Sequence, residues 1–180
     1  MIDWGSVLFT VIGAVLGFGL AIGYDKYQRA QDEKEGYGKI ILLIGEEVRT
    51  NHEILTLLKE GMVNDMSLIK KGQTVSNPFP YPTQLFFDIV FHYRNQKFLT
   101  SDFFMPTINL YRSFMVIRDT VTSRETYRNG NRAMENFLEV LRTYDEIILG
   151  HVERVLPASR TLINHLEPER KRIIGKTKAS

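Results

Sequence analysis

The hydrophobic positions along this chain change rhythm several times, and each change predicts an element. From Trp4 to Tyr24 run 21 consecutive residues without a charge, bounded by Asp3 and by Asp25-Lys26. At ~1.5 Å rise per residue, a helix of that length covers roughly the ~30 Å hydrocarbon core of a bilayer. The leading Met1-Ile2-Asp3 is short and acidic, whereas a secretory signal opens on a basic segment, so the stretch reads as a retained anchor. Asp25 to Glu35 is a polar, helix-compatible stalk, and Gly36-Tyr37-Gly38 predicts a hinge. Between Lys39 and about Glu60, a stripe of Ile41, Ile44, Val48, Leu55, Leu58 and, just beyond, Met62 recurs at spacings of three and four, predicting a helix with one buried face. Asn51 interrupts that stripe one turn after Glu47. The two are expected to share a hydrogen-bond network that fixes register rather than performs chemistry. His52, next to the stripe, reads as a satisfied boundary residue.

From Val63 to Thr83 the periodicity is lost, and Pro78, Pro80 and Pro82 exclude a regular helix. A helix is predicted next over TQLFFDIVFHYRNQKF, bearing Phe86, Phe87, Ile89, Val90 and Tyr93. Nine of the 20 aromatic residues fall between Phe79 and Phe104, a density that suits core or subunit packing ahead of base stacking. Ser101-Asp102 predicts the cap of a helix reaching about Tyr127, with Ile108, Tyr111, Phe114 or Met115, and Val121 turned inward. Arg128-Asn129-Gly130-Asn131 reads as a turn. A further helix buries Met134, Phe137, Leu138, Leu141, Tyr144, Ile148, Val152 and Val155, breaks or kinks at Pro157, and gives way to a short last helix ending near Leu166. The sum is an all-α protein: a transmembrane helix over 1–24, a stalk or hinge over 25–38, a four- to five-helix bundle over 39–175 and a tail over 176–180.

Small residues qualify the anchor. Gly13 with Gly17, and Gly19 with Gly23, form two small-xxx-small pairs, while Ser6, Thr10, Gly13, Gly17 and Ala21 share one helix face. Missing side chains let backbones approach closely, which drives helix association in lipid. Small residues on more than one face predict two neighbours per helix, as a ring requires. The alternative is that glycine is simply common in spans. A pore lined by such a helix would have a weakly polar or apolar wall, able to gate by dewetting. Lys26, Arg29, Lys34 and Lys39 follow the span and no basic residue precedes it, which places the N-terminus outside and the C-terminal bulk in the cytoplasm.

The formal charge is +2, unevenly placed. Arg154 to Ser180 holds seven basic and two acidic residues, a local +5, leaving −3 elsewhere. That end suits anionic lipid or nucleic acid, or is a solvated tail. The absence of cysteine excludes disulfides, thiolate metal sites and thiol nucleophiles, and no metal or cofactor is expected.

One stretch carries candidate chemistry. Arg160-Thr-Leu-Ile-Asn164-His165 matches the R-x4-6-H pattern of HEPN ribonucleases, in which one group moves the 2′-hydroxyl proton and a cation faces the scissile phosphate. Arg160 and His165 lie about 140° apart around a helix, while Arg160 and Asn164 share a face, so two copies could build a composite site. A chain with 13 arginines and four histidines gives about one such match by chance, so simple packing of His165 stays open. With the short anchor and the helical bundle, the late R-x3-N-H element resembles the small HEPN-like membrane accessory proteins of type VI-B CRISPR systems. The resemblance implies a ring-like homo-oligomeric pore in the bacterial inner membrane that acts in phage defence beside an RNA-guided, RNA-cleaving effector. It also implies that the R-N-H element matters without ribonuclease turnover, and it leaves RNA binding open. Glu47-x3-Asn51-x3-Leu55 behind a single span is similar, too, to bacterial anchored helical proteins in general, which implies a fold and no function. Three readings stand: a pore-forming accessory protein, a membrane-tethered HEPN ribonuclease, and a non-enzymatic anchored scaffold. The resemblance favours the first.

Overall fold

A computed structural model of the chain describes residues 4–75, 77–93 and 95–177, with side chains described from Gly23 onward except at 91, 93, 176 and 177. Among the described residues there are five helices: α1 (Trp4–Ile69), α2 (Phe86–Tyr93), α3 (Gln96–Leu99), α4 (Phe104–Gly130) and α5 (Phe137–Thr177). The fold is all-α. Three long helices build the bundle, and α2 with α3 closes one side of it. Lys59 pairs with Glu153, Arg49 with Glu167, and Glu46 with Arg170, so α5 runs antiparallel to α1. Contacts of Tyr111 with Glu47 and of Arg124 with Asp65 run in the same order along both helices, so α4 is parallel to α1.

The core forms where the three-four stripe predicts it. Ile41, Ile44, Val48, Leu55, Leu58 and Met62 of α1 are fully buried, against Tyr111, Phe114, Ile117 and Val121 of α4 and Ile148 and Val152 of α5. Phe86 stacks on Tyr111 with ring centroids 4.6 Å apart and meets Phe98 edge-on at 6.4 Å. The aromatic-rich middle of the chain is thus core, as expected. Phe114, rather than Met115, takes the inner position on α4.

Several predicted boundaries move, each for a physical reason. No hinge interrupts Gly36-Tyr37-Gly38: α1 is one helix of 66 residues, roughly 100 Å long, that crosses the expected borders at 24 and 38. A side chain at Gly36 would meet the Asn95 amide at 3.0 Å, and one at Gly38 would meet Ile173 at 3.5 Å. Gly36 thus permits a close approach, Gly38 sits in ordinary contact, and neither bends the helix. The helix also continues past Glu60, because Met62, buried Asp65 and Ile69 extend the stripe, and the charge of Asp65 hides the pattern. The single helix expected over 83–98 is two, divided at Asn95. The side-chain oxygen of Asn95 caps α3 by accepting from Phe98 N at 3.0 Å, while its amide donates to Glu33 O at 2.6 Å. The α4 helix starts after Phe103 with no side-chain cap, so Ser101-Asp102 does not play that part. Arg128 belongs to α4 rather than to a turn, and Met134 is exposed. Pro157 and Pro168 both lie inside α5, so no separate last helix exists. Buried Ser159, Leu162 and Leu166 hold the stretch after Pro157 against α1 and α4, which outweighs one lost backbone bond.

Among the residues whose side chains are described, no helix is long and apolar enough to cross a membrane. The side chains of Ser6, Thr10, Gly13, Gly17, Gly19 and Ala21 lie outside that description. Gly23 is described and exposed, with open space where a side chain would stand.

Candidate functional site

Two polar clusters interrupt the buried face of α1. At the first, Asn51 grips the backbone of Thr83 from both sides: Thr83 N donates to Oδ1 at 2.8 Å and Nδ2 donates to Thr83 O at 3.1 Å. Glu47 Oε1 accepts from Leu85 N at 2.5 Å and from the Thr83 hydroxyl at 3.1 Å, and Oε2 accepts from the Tyr111 hydroxyl at 2.6 Å. Burial, and then the Glu47 carboxylate beside it, pushes the Tyr111 hydroxyl well above its ordinary pKa. The expected shared network of Glu47 and Asn51 therefore exists, and its use is structural. At the second cluster Arg124 pairs with Asp65, with Asp145 at 2.5 Å and with Glu125 at 2.8 Å, while Arg128 pairs with Glu125 at 2.6 Å. Asp65, Arg124 and Asp145 are wholly buried. Glu47, Asn51, Tyr111, Asp65, Arg124, Arg128 and Asp145 are all buried, which closes these groups off from a substrate.

An opening does exist between α4 and α5. It is a groove of about 660 Å³ with an apolar floor that includes Leu110, Val155 and Leu162. Its polar wall comes from Asn109 and Ser113 on α4 and from His151, Arg154 and His165 on α5, and no carboxylate lines it. Arg154 Nε donates to Gly150 O at 3.0 Å, and its Nη2 lies 3.1 Å from His151 Nδ1. Among the described residues Arg154 makes no ion pair. The groove thus sets an uncompensated guanidinium beside the His151 imidazole, a pair able to hold a phosphate and move a proton, with His165 about three turns further along.

Of the R-N-H element, only His165 lines this groove. Asn164 is exposed and does not line it, and Arg160 stands on another face, close enough to His52 to lower its pKa. His52 Nδ1 lies 2.7 Å from Ser159 Oγ, which donates to Leu156 O at 2.8 Å, so His52 is the satisfied boundary residue expected of it. The ~140° between Arg160 and His165 is kept within one protomer, where they share no site. The cation on the face of His165 is instead Arg154, eleven residues earlier, ~20° away around the helix and roughly 16 Å away along it, with His151 as its neighbour. A search at spacings of four to six misses it; the signal is face-sharing over three turns.

Among the described residues no group of three or more His, Asp or Glu side chains is placed to hold a metal. No protein-family model, curated protein or solved structure matches the chain.

Proposed function

We propose that this chain is an anchored HEPN-like accessory protein of antiviral CRISPR defence that self-associates as a pore in the bacterial inner membrane. In this reading the apolar segment over 4–24 spans the bilayer with its N-terminus outside, and the bundle lies in the cytoplasm, within reach of an RNA-guided, RNA-cleaving effector. The observation that supports it is the continuity of α1. The apolar segment and the core stripe from Ile40 to Met62 belong to one helix, so a rotation or tilt of the bundle reaches the glycine-faced segment with no hinge to absorb it. That coupling is what a gated pore built from single spans requires. Placing Gly13 and Gly17 at the interface between neighbouring spans gives a direct test. In mild detergent the full chain is expected to run as a multi-copy particle and, in vesicles, to release an entrapped dye. Gly13→Leu with Gly17→Leu should reduce particle size and stop release. A wild-type chain that runs as a single copy and releases nothing overturns the reading.

A membrane-tethered ribonuclease is the second reading, supported by Arg154 and His151 meeting in one acid-free groove. Here His151 moves the 2′-hydroxyl proton and Arg154 holds the phosphate. Arg154→Ala and His151→Ala should each abolish RNA cleavage while Arg160→Ala and His165→Ala leave it intact; the reverse pattern returns the chemistry to the R-x4-H spacing.

A further inference from the structure

A second groove, of about 730 Å³, opens where the stalk half of α1 meets α3 and the end of α5. Four cations from three elements converge on it: Lys34 and Lys39 of α1, Lys97 of α3 and Arg172 of α5, with Glu35 the one carboxylate in its wall. All four are exposed. Among the described residues Lys34, Lys39 and Lys97 make no ion pair, while Arg172 pairs with Glu169, outside the groove lining. The cations are brought together by specific contacts. Asn95 ties the start of α3 to Glu33 O, which stands the Lys97 ammonium 4.7 Å above the Tyr37 ring. Ile173 packs over Gly38, which brings Arg172 in from α5. Leu42, Tyr37 and Ile173 give the groove an apolar side. Gathering like charges raises the energy of the empty fold, and a bound anion relieves it.

We infer that this groove binds the phosphate headgroup of an anionic phospholipid in the leaflet from which α1 emerges. The assignment to lipid rests on the membrane span proposed above. From Tyr24 to Gln31 a helix rises roughly 10 Å, and to Lys34 roughly 15 Å. The headgroup layer extends roughly 5–7 Å beyond the hydrocarbon. Lys34, the cation nearest the membrane, therefore stands roughly 8–10 Å beyond the headgroup layer, a gap that its side chain nearly spans and that is close to one Debye length of about 8 Å. Apolar surface beside the cations suits the glycerol and upper acyl carbons of a lipid, which a bare phosphate would leave uncovered.

The test uses the full chain in non-ionic detergent, titrated with phosphatidylglycerol or phosphatidylcholine and read by native mass spectrometry of retained lipid. Wild type is expected to retain phosphatidylglycerol preferentially, and Lys34→Gln with Lys97→Gln and Arg172→Gln to lose about tenfold or more of that affinity. Lys70→Gln with Lys71→Gln and Arg132→Gln removes the same net charge at the far end of the bundle and should leave retention unchanged. Equal retention of both lipids by wild type, or equal loss in the two triple variants, overturns the proposal. A third arm adds inorganic phosphate alone: if it raises the melting temperature of wild type but not of the groove variant, and displaces phosphatidylglycerol, the ligand is a soluble phosphate compound and the lipid assignment falls. A chain that stays a monodisperse single copy in buffer without detergent overturns the span itself, whereas one that needs detergent yet ignores phosphatidylglycerol overturns only the groove.

Discussion

At Glu47 and Asn51, α1 offers hydrogen-bonding groups to a backbone; at Asp65, about four turns further on, it offers a charge to another charge. Both positions lie on the face where the three-four stripe calls for a hydrophobe, and both hold the same connection between α1 and α2. Glu47 and Asn51 fix its far end at Thr83 and Leu85. Asp65 fixes its near end, accepting from Val75 N at 2.7 Å and from the Thr74 hydroxyl at 2.9 Å. Arg128 adds donations to Val75 O at 2.9 Å and Asn77 O at 3.1 Å, and Arg124 lies 4.7 Å from the centre of the Phe79 ring. A proline-rich segment cannot satisfy its own backbone in a helix, so buried side chains from α1 and α4 do so at both ends. The difference is in the cost of error: cutting the neutral Asn51 amide loses hydrogen bonds, while breaking the ionic cluster leaves a charge buried.

The largest expected effect comes from that second case. Arg124→Ala strands Asp65 in the interior and should lower unfolding free energy by about 3–5 kcal/mol, read by urea denaturation. Replacing Asp65, Arg124 and Asp145 together with apolar residues of similar volume should recover most of the loss. If the single and triple variants are equally unstable, the cluster acts through packing and the contrast with Glu47 collapses. At the other end, Asn51→Ala removes a bidentate backbone clamp and should cost about 1–3 kcal/mol, with faster limited proteolysis near Phe79 and Tyr81.

A pH profile separates the clusters further. Burial pushes the Asp145 carboxyl up from 3.8 to about 7, against the lowering pull of Arg124 and with help from Asp65. Burial sets the direction, and because Asp65 shares Arg124, the pull of that one guanidinium does not offset it. The native state keeps a proton that the unfolded chain releases, so this contribution to stability falls as pH rises from 3.8 to about 7 and is flat above. Asp145→Asn should flatten that slope, which is at most about 1.4 kcal/mol per pH unit for one proton. An unchanged slope assigns it elsewhere.

How much of this was legible in the sequence follows from which residues carry the information. Apolar periodicity marked Ile41 to Met62 and the inner face of α4 because burial there is paid in hydrophobic side chains at regular spacing. It could not mark Asp65, Arg124 or Arg128, whose burial depends on partners up to 59 residues away in sequence, such as Arg124 for Asp65. Gly36 and Gly38 look the same in sequence whether they bend a helix or admit a neighbour, and only Asn95 and Ile173 decide it. Pro157 shows the converse: local chemistry predicts a break, and tertiary packing of Ser159, Leu162 and Leu166 overrides it. The candidate site was half visible, since His165 belonged to a recognisable spacing while Arg154 and His151 did not.

The smallest expected effect probes a third polar junction, between α1 and α5, which lies at the edge of the bundle rather than inside it. Burial, then the nearby Arg160 charge, lowers the His52 pKa below 6.5, opposed by Glu53. Ser159 Oγ gives its proton to Leu156 O, so His52 Nδ1 must be the donor toward Ser159, which fixes the neutral ring with its hydrogen on Nδ1. The unfolded chain takes up a proton before the native state does, so the stability tied to keeping this buried ring neutral is present above 6.5 and is lost as pH falls below it. That sign opposes Asp145, and comparing wild type with Asp145→Asn keeps the two apart. Ser159→Ala should cost only about 0.5–1.5 kcal/mol. Arg160→Ala should raise the His52 pKa toward 6.5 in an NMR titration, because it removes the lowering charge while leaving the burial in place. A His52 resonance that titrates identically in the variant would mean that Arg160 points away from α1, freeing it to serve a neighbouring copy's His165.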